Sequence, residues 1–149
     1  MALVQSFEKS GNFLFKYRGQ IPMLLFIIAV PAIYFTDYSG FSSNLIFIVK
    51  AIAIFVCAVG LGIRIYTVST VADFTSGRNR KEQVAESLNT TGMYSIVRHP
   101  LYLGNYLMWA GLMIYIMNAG LFITISLLFW IYYERIMFAE ERFLEKKIW

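Results

Sequence analysis

Residues 99–133, HPLYLGNYLMWAGLMIYIMNAGLFITISLLFWIYY, run for 35 positions without a formal charge. Wound as one α-helix they would reach about 52 Å, against a bilayer hydrocarbon core of about 30 Å. One crossing cannot use them. Asn118-Ala119-Gly120, turn-forming residues near the middle, break the run. The stretch therefore predicts a tight helical hairpin of two spans, about 101–117 and 121–137.

Upstream, residues 44–72 form another apolar run, interrupted by Lys50 and Arg64. Each lies toward an end, where a long cationic side chain can extend its charge to the interface. A pocket-facing role is the alternative for Arg64. Gly60 and Gly62 beside it permit close helix contact, a weak packing signal by itself. Residues 19–36 are 18 charge-free positions, about one crossing. Pro22 suits the first turn of that helix and Pro31 should kink it near its end. Before it, residues 1–18 alternate Phe7, Phe13, Phe15 and Tyr17 with Lys9, Lys16 and Arg18, reading as an interfacial lead-in without a signal-peptide cleavage pattern.

Composition agrees with a bilayer setting. The chain is 58% hydrophobic and 15% charged, where a soluble domain carries about 25% charge, and its mean hydropathy is +0.60. The expected fold class is all-α: a single membrane-embedded domain over 1–149, polytopic, with about four transmembrane helices, the last two a hairpin, and a cytosolic C-terminal helix. One cysteine, Cys57, and one histidine, His99, exclude a disulfide framework and a His/Cys metal cluster. The net charge of +4 comes without a basic, aromatic-interleaved stripe, so no nucleic-acid partner is expected; the lipid bilayer is, and the oligomeric state is unreadable. Lys and Arg number three before residue 19, four in the loop between spans two and three, and four from Arg135 onward, against none in segments 37–43 and 118–120. By the positive-inside rule both termini and the long loop are cytoplasmic.

The residues able to do chemistry share that face. Residues 91–104 read TGMYSIVRHPLYLG. Pro100 fits a first helical turn, and Arg98 and His99 precede it in extended backbone. Unpaired amides at a helix start, beside an arginine and a histidine, make an anion-binding corner. Tyr102 adds an aromatic wall, and Gly104 offers a place where a ligand can approach the backbone. A basic interface anchor with belt aromatics accounts for the same residues equally well.

This segment resembles the signature of the isoprenylcysteine carboxyl methyltransferase and phospholipid N-methyltransferase family: a Gly-x-Tyr, an Arg-His-Pro, a Tyr two residues on and a Gly, in that order. Glu140-Glu141-Arg142-Phe143-Leu144 is similar to the family's Glu-Glu-x-x-Leu element, and the resemblance covers about residue 69 to the end. It implies an integral membrane enzyme that binds S-adenosyl-L-methionine at the cytosolic end of its last hairpin. Tyr94, His99, Tyr102, Leu103, Gly104, Glu140 and Glu141 are then the expected cofactor contacts. Arg98 and Arg135 are the expected catalytic residues, orienting a lipid-like or small hydrophobic acceptor: a carboxylate, an amine or a thiol. The chemistry is consistent: carboxylates accept bonds from ribose hydroxyls or the ammonium, an arginine or helix start holds the carboxylate, and aromatic faces suit adenine or a sulfonium. No metal is needed. Glu134, Glu141 and Glu145 also recur at helical spacing, and a solvated stripe paired with Arg135, Arg142 and Lys146 is the alternative for them.

Arg135 stands five residues before Glu140, a longer offset than the family pattern leads one to expect. Relatives usually continue beyond the point that Trp149 marks, through an amphipathic stretch that helps to cover the cofactor, so a piece of a longer chain and a minimal member both fit. Two other functions fit parts of the pattern. Integral membrane sterol reductases share a related Arg-His-Pro region, and Arg78, Arg80 and Lys81 would suit the 2′-phosphate of NADPH, although those reductases have more spans. A non-catalytic membrane scaffold on the same fold is the other.

Overall fold

A computed structural model describes residues 2–19, 21–71 and 89–148. Five α-helices, α1 (Ala2–Lys16), α2 (Ile21–Phe35), α3 (Ser43–Thr70), α4 (Pro100–Ile116) and α5 (Ala119–Ile148), carry the fold, and a short 3-10 turn (Gly92–Ser95) precedes α4. No strand occurs among the described residues. The cluster Arg78, Arg80 and Lys81 lies outside the described residues.

The hairpin forms where the turn residues stand. Helix α4 ends at Ile116, Met117 takes the left-handed conformation (φ 59°), and α5 starts at Ala119. Asn118 fixes the corner: its Oδ1 accepts from the Leu121 amide at 2.9 Å, capping α5, and its Nδ2 donates to Thr36 Oγ1 at 3.2 Å, tying α2 to the turn. The Tyr38 hydroxyl donates to the Ile116 carbonyl, one of the unpaired acceptors at the end of α4. At this same end Lys50 is held over the rings of Tyr38 and Tyr115, its ammonium 5.6 and 5.0 Å from their centroids.

Among the described residues two helices, α3 and α5, are long and apolar enough to cross a membrane. Phe47, Ile54, Phe55, Leu61, Ile65 and Val68 stand exposed along α3, and Ile123, Leu127 and Trp130 along α5. In a chain of this composition such surfaces face lipid. No helix breaker follows Met137, and α5 runs on unbroken through the acidic pair for 30 residues, so the fourth apolar segment and the C-terminal helix are one rod.

Helices α3 and α4 meet along a seam of small residues. Added Cβ atoms would clash in both directions: at Gly60 with the Gly104 carbonyl (2.7 Å), and at Gly104 with the Gly60 carbonyl (2.9 Å). Ala53 and Gly111 repeat the contact seven residues away on each helix, the spacing that keeps one face of a helix on its neighbour. Cys57 lies between them and donates from Sγ to the Met108 carbonyl at 3.3 Å. Close backbone approach through small residues is how apolar helices associate without a hydrophobic driving force.

The N-terminal segment, expected as an interfacial lead-in, is a helix packed on α5. Helix α1 lies along the last third of α5, with Gly11 against the Arg135 carbonyl and Ala139, and Phe7 edge-on to Phe138 at 6.0 Å. Phe15 joins Phe129, Tyr133 and Ile136 in a buried cluster at this end of the molecule. Ala29 joins Met113, Ile116, Leu121 and Ile125 in a second cluster near the turn.

Candidate active site

Hairpin closure returns α5 to the level at which α4 begins, and the two halves of the signature meet there. Pro100 starts α4 and is fully buried, with His99 as its N-cap. The His99 side chain makes no capping bond to the helix. Its ring points across to α5, with Nε2 3.2 Å from Glu141 Oε1 and Nδ1 3.7 Å from Glu140 Oε2. Tyr102, one turn on, stacks on the His99 ring (centroids 5.7 Å, planes 25° apart) and donates its hydroxyl to Glu140 Oε1 at 2.8 Å.

Glu140 is the hub. Its side chain is 16% exposed, and besides Tyr102 and His99 it pairs with Arg18, whose Nη1 is 3.5 Å from Oε1. The Arg18 guanidinium also lies over the Phe15 ring, 4.1 Å from its centroid. Burying a carboxylate is costly unless it is paired and hydrogen-bonded, and this one has a phenol, an imidazole and a guanidinium around it. Glu141 is half-exposed and forms the outer partner, with Arg98 Nη1 3.7 Å away and itself mostly in solvent.

Gly92 sits at φ 60°, a left-handed position that favours glycine, and opens the 3-10 turn that carries Tyr94. The Tyr94 phenol is pushed above its usual value by burial first and then by the Glu140 carboxylate, with Arg18 opposing. Tyr94 thus stays a neutral hydroxyl beside the same hub. Leu103 lines an apolar cavity of about 200 Å³ between α4 and α5, together with Arg98, His99, Tyr102, Tyr106, Phe129 and Trp130.

Two expected residues are placed elsewhere. Arg135 lies over the Phe7 ring, 3.7 Å from its centroid, on the side of α5 that α1 covers. It is not brought to the His99–Glu140 cluster. Gly104 is filled by α3: an added Cβ would meet Arg64 Cγ at 2.7 Å. Its missing side chain is the place where α3 packs against α4. Glu145 pairs along its own helix with Arg142 at 3.0 Å, as a solvated stripe requires. Two contributors were not singled out as site residues, Arg18 and Tyr133. Tyr133 packs on Tyr102 (4.8 Å) and accepts a bond at its hydroxyl from Asn105 Nδ2 (3.3 Å). The only signal for Arg18 is its place at the end of a basic, aromatic segment.

With this geometry in view, comparison with known families gives one match: the phospholipid methyltransferase profile fits residues 47–148. The chain belongs to the phospholipid methyltransferase family. No curated protein and no solved structure matches it. The family span contains α3 from residue 47 on, α4, α5 and both halves of the signature, and it identifies a membrane methyltransferase. Helices α1 and α2 lie outside that span. Arg18 therefore reaches Glu140 from a part of the chain that the phospholipid methyltransferase profile does not cover.

The donor set suits the cofactor such methyltransferases generally use. Acidic acceptors (Glu140, Glu141), a helix start with flanking Arg98 and His99, and aromatic faces (Tyr102, Tyr106) offer partners for an ammonium and diol, a carboxylate, and an adenine or sulfonium respectively. No group of three or more His, Cys, Asp or Glu able to hold a metal occurs among the described residues.

Proposed function

We propose that this methyltransferase moves a methyl group from S-adenosyl-L-methionine to a nucleophilic headgroup of a lipid-like acceptor at the cytosolic membrane face. The membrane arrangement proposed with it has four spans and both termini in the cytoplasm. Helices α2 and α4 are the two shorter crossings, in keeping with the charge distribution and with the tie between α2 and the hairpin turn.

The observation that carries this reading is the convergence of Glu140 and Glu141 on His99 and Tyr102, the two of the four that also line an apolar cavity. When bound, the cofactor supplies an activated methyl on a sulfonium. The protein's own contribution is positional. Glu140 and Glu141 anchor the polar end of the donor, and Tyr102 and His99 wall it. The apolar wall formed by Tyr106, Phe129 and Trp130 takes the hydrocarbon part of the acceptor and excludes water. Arg98, exposed at the rim, attracts an anionic headgroup.

Ligand-dependent thermal stability of the detergent-solubilised protein tests the donor. Adenosylhomocysteine should raise the melting temperature and NADPH should not. Transfer of label from methyl-labelled donor into a total lipid extract tests the acceptor. Stabilisation by NADPH alone, or label confined to water-soluble acceptors, would overturn the reading.

A further inference from the structure

Arg64 stands six residues before the end of α3 at Thr70, about 9 Å along the helix axis. It is half-buried in a helix that contains no acidic residue. Its Cγ rests where a Cβ at Gly104 would be, so the stem lies across α4 beneath the signature. The guanidinium is within electrostatic reach of the Tyr133 hydroxyl, which itself accepts from Asn105. Among the described residues it forms no ion pair, while Arg18, Arg98 and Arg142 each do. A half-buried guanidinium with no counter-charge among the described residues is costly. Nothing in helix packing requires one at a contact that Gly60 and Gly104 already close.

We infer that Arg64, with Asn105 on the same Tyr133 hydroxyl, is an oxyanion-binding position on the bilayer side of the active site, taking a carboxylate or phosphate carried by a substrate. The inference rests on the methyltransferase reading above and adds to it an anionic group on one of the two reactants. Arg64 offers a planar pair of N–H donors suited to either oxyanion, and the Asn105 amide adds a further donor. Its depth places it at headgroup level for an amphiphile in the cytoplasmic leaflet. The donor's carboxylate is the other source.

Binding to wild type, Arg64→Gln and Arg64→Lys, each in detergent, tests this with two matched pairs of probes. Adenosylhomocysteine is compared with its descarboxy analogue, and dioleoyl phosphatidate with dioleoylglycerol. The expected result is that Arg64→Gln weakens the anionic member of one pair about tenfold to a hundredfold and leaves its uncharged counterpart unchanged. The pair affected identifies the source. Arg64→Lys should lose less, because it keeps the charge without the fork; if Arg64→Gln does not fold, the same selectivity is read from Arg64→Lys. Equal weakening of both members of a pair marks a packing role and overturns the inference, as does no change for any probe. Phosphatidate binding that depends on Arg64, in a protein that does not bind adenosylhomocysteine, would retain this position and reject the proposed donor. Adenosylhomocysteine binding with no Arg64 dependence anywhere would do the reverse. A wild type that binds none of the four probes rejects both.

Discussion

The Tyr102 hydroxyl and Glu140 Oε1 are 2.8 Å apart across the α4–α5 hairpin, 38 positions apart in the chain. A phenol donating to a buried carboxylate does two things. It satisfies the acid without neutralising it, and it fixes which oxygen turns inward. The His99 ring stacks behind the same phenol, so the orientation of Glu140 depends on the first turn of α4.

Tyr102→Phe should weaken adenosylhomocysteine binding by about tenfold, the effect of one hydrogen bond to a charged group, and should lower the melting temperature, because Glu140 loses its shortest partner. Glu140→Gln should weaken it more, since the Arg18 and His99 contacts lose their charge as well. Glu145→Ala, on the exposed stripe, should leave binding unchanged. Isothermal titration of the three variants orders them, and an equal effect for all three would reject the assignment of Glu140.

Arg18 and Glu140 should couple. Arg18→Ala leaves a mostly buried carboxylate short of a partner, and a loss of about 1–3 kcal/mol of stability is expected. In the Glu140→Gln background the same substitution should cost clearly less. A double-mutant cycle by thermal or denaturant unfolding in one detergent measures the difference; additive effects would show that the 3.5 Å pair contributes nothing.

The α3–α4 seam should tolerate no side chain at Gly60 or Gly104. Gly104→Leu forces the Gly60 backbone and the Arg64 stem away together, and a loss of about 1–3 kcal/mol or more follows from overpacking. Gly62→Ala is the matched control, because an added Cβ there meets nothing within 4 Å. Melting temperatures in detergent separate the two, and equal effects would contradict the seam.

The proposed topology places Gly40 and Thr90 on opposite sides of the membrane. Both are exposed, and each replaced by Cys in a Cys57→Ala background should label with an impermeant maleimide from one side only, Gly40 from outside and Thr90 from within. Labelling of both from the same side would refute an odd number of crossings between them.

The hairpin and the meeting of the two motif halves were legible because each has a local cause: turn residues at 118–120, and a span length that returns the chain to its starting level. The role of Gly104 was not legible in the same way. A glycine one turn into a helix looks identical whether a ligand or a neighbouring helix approaches it, and the face it presents is decided by Gly60 and Arg64, 44 and 40 positions away. Helix α1 was unreadable for a related reason. Its alternation of aromatics with lysines suits a lipid interface and an α5 face equally, and only Gly11, set against the Arg135 carbonyl, distinguishes them. Arg135 is a separate case: its offset from Glu140 departs from the family pattern, and the phase of α5 turns it onto Phe7.

The unbroken length of α5 acts as a lever. From Ala119 to Glu140 is about 31 Å of rigid rod, so a tilt of about 5° about the turn end would sweep the carboxylates sideways by about 3 Å. A misplacement of about 1 Å is enough to cost a catalytic site a hundredfold. A crossing helix adjusts its tilt to bilayer thickness, and an acidic pair at the free end of such a rod would wander with every change of lipid. What resists this is the bracing at its two extremities: Asn118 bonded to Thr36 at the pivot, and α1 laid along the far third with Arg18 gripping Glu140. On this geometry the N-terminal helix is a stay that keeps the working end in register while the middle of the rod accommodates the membrane.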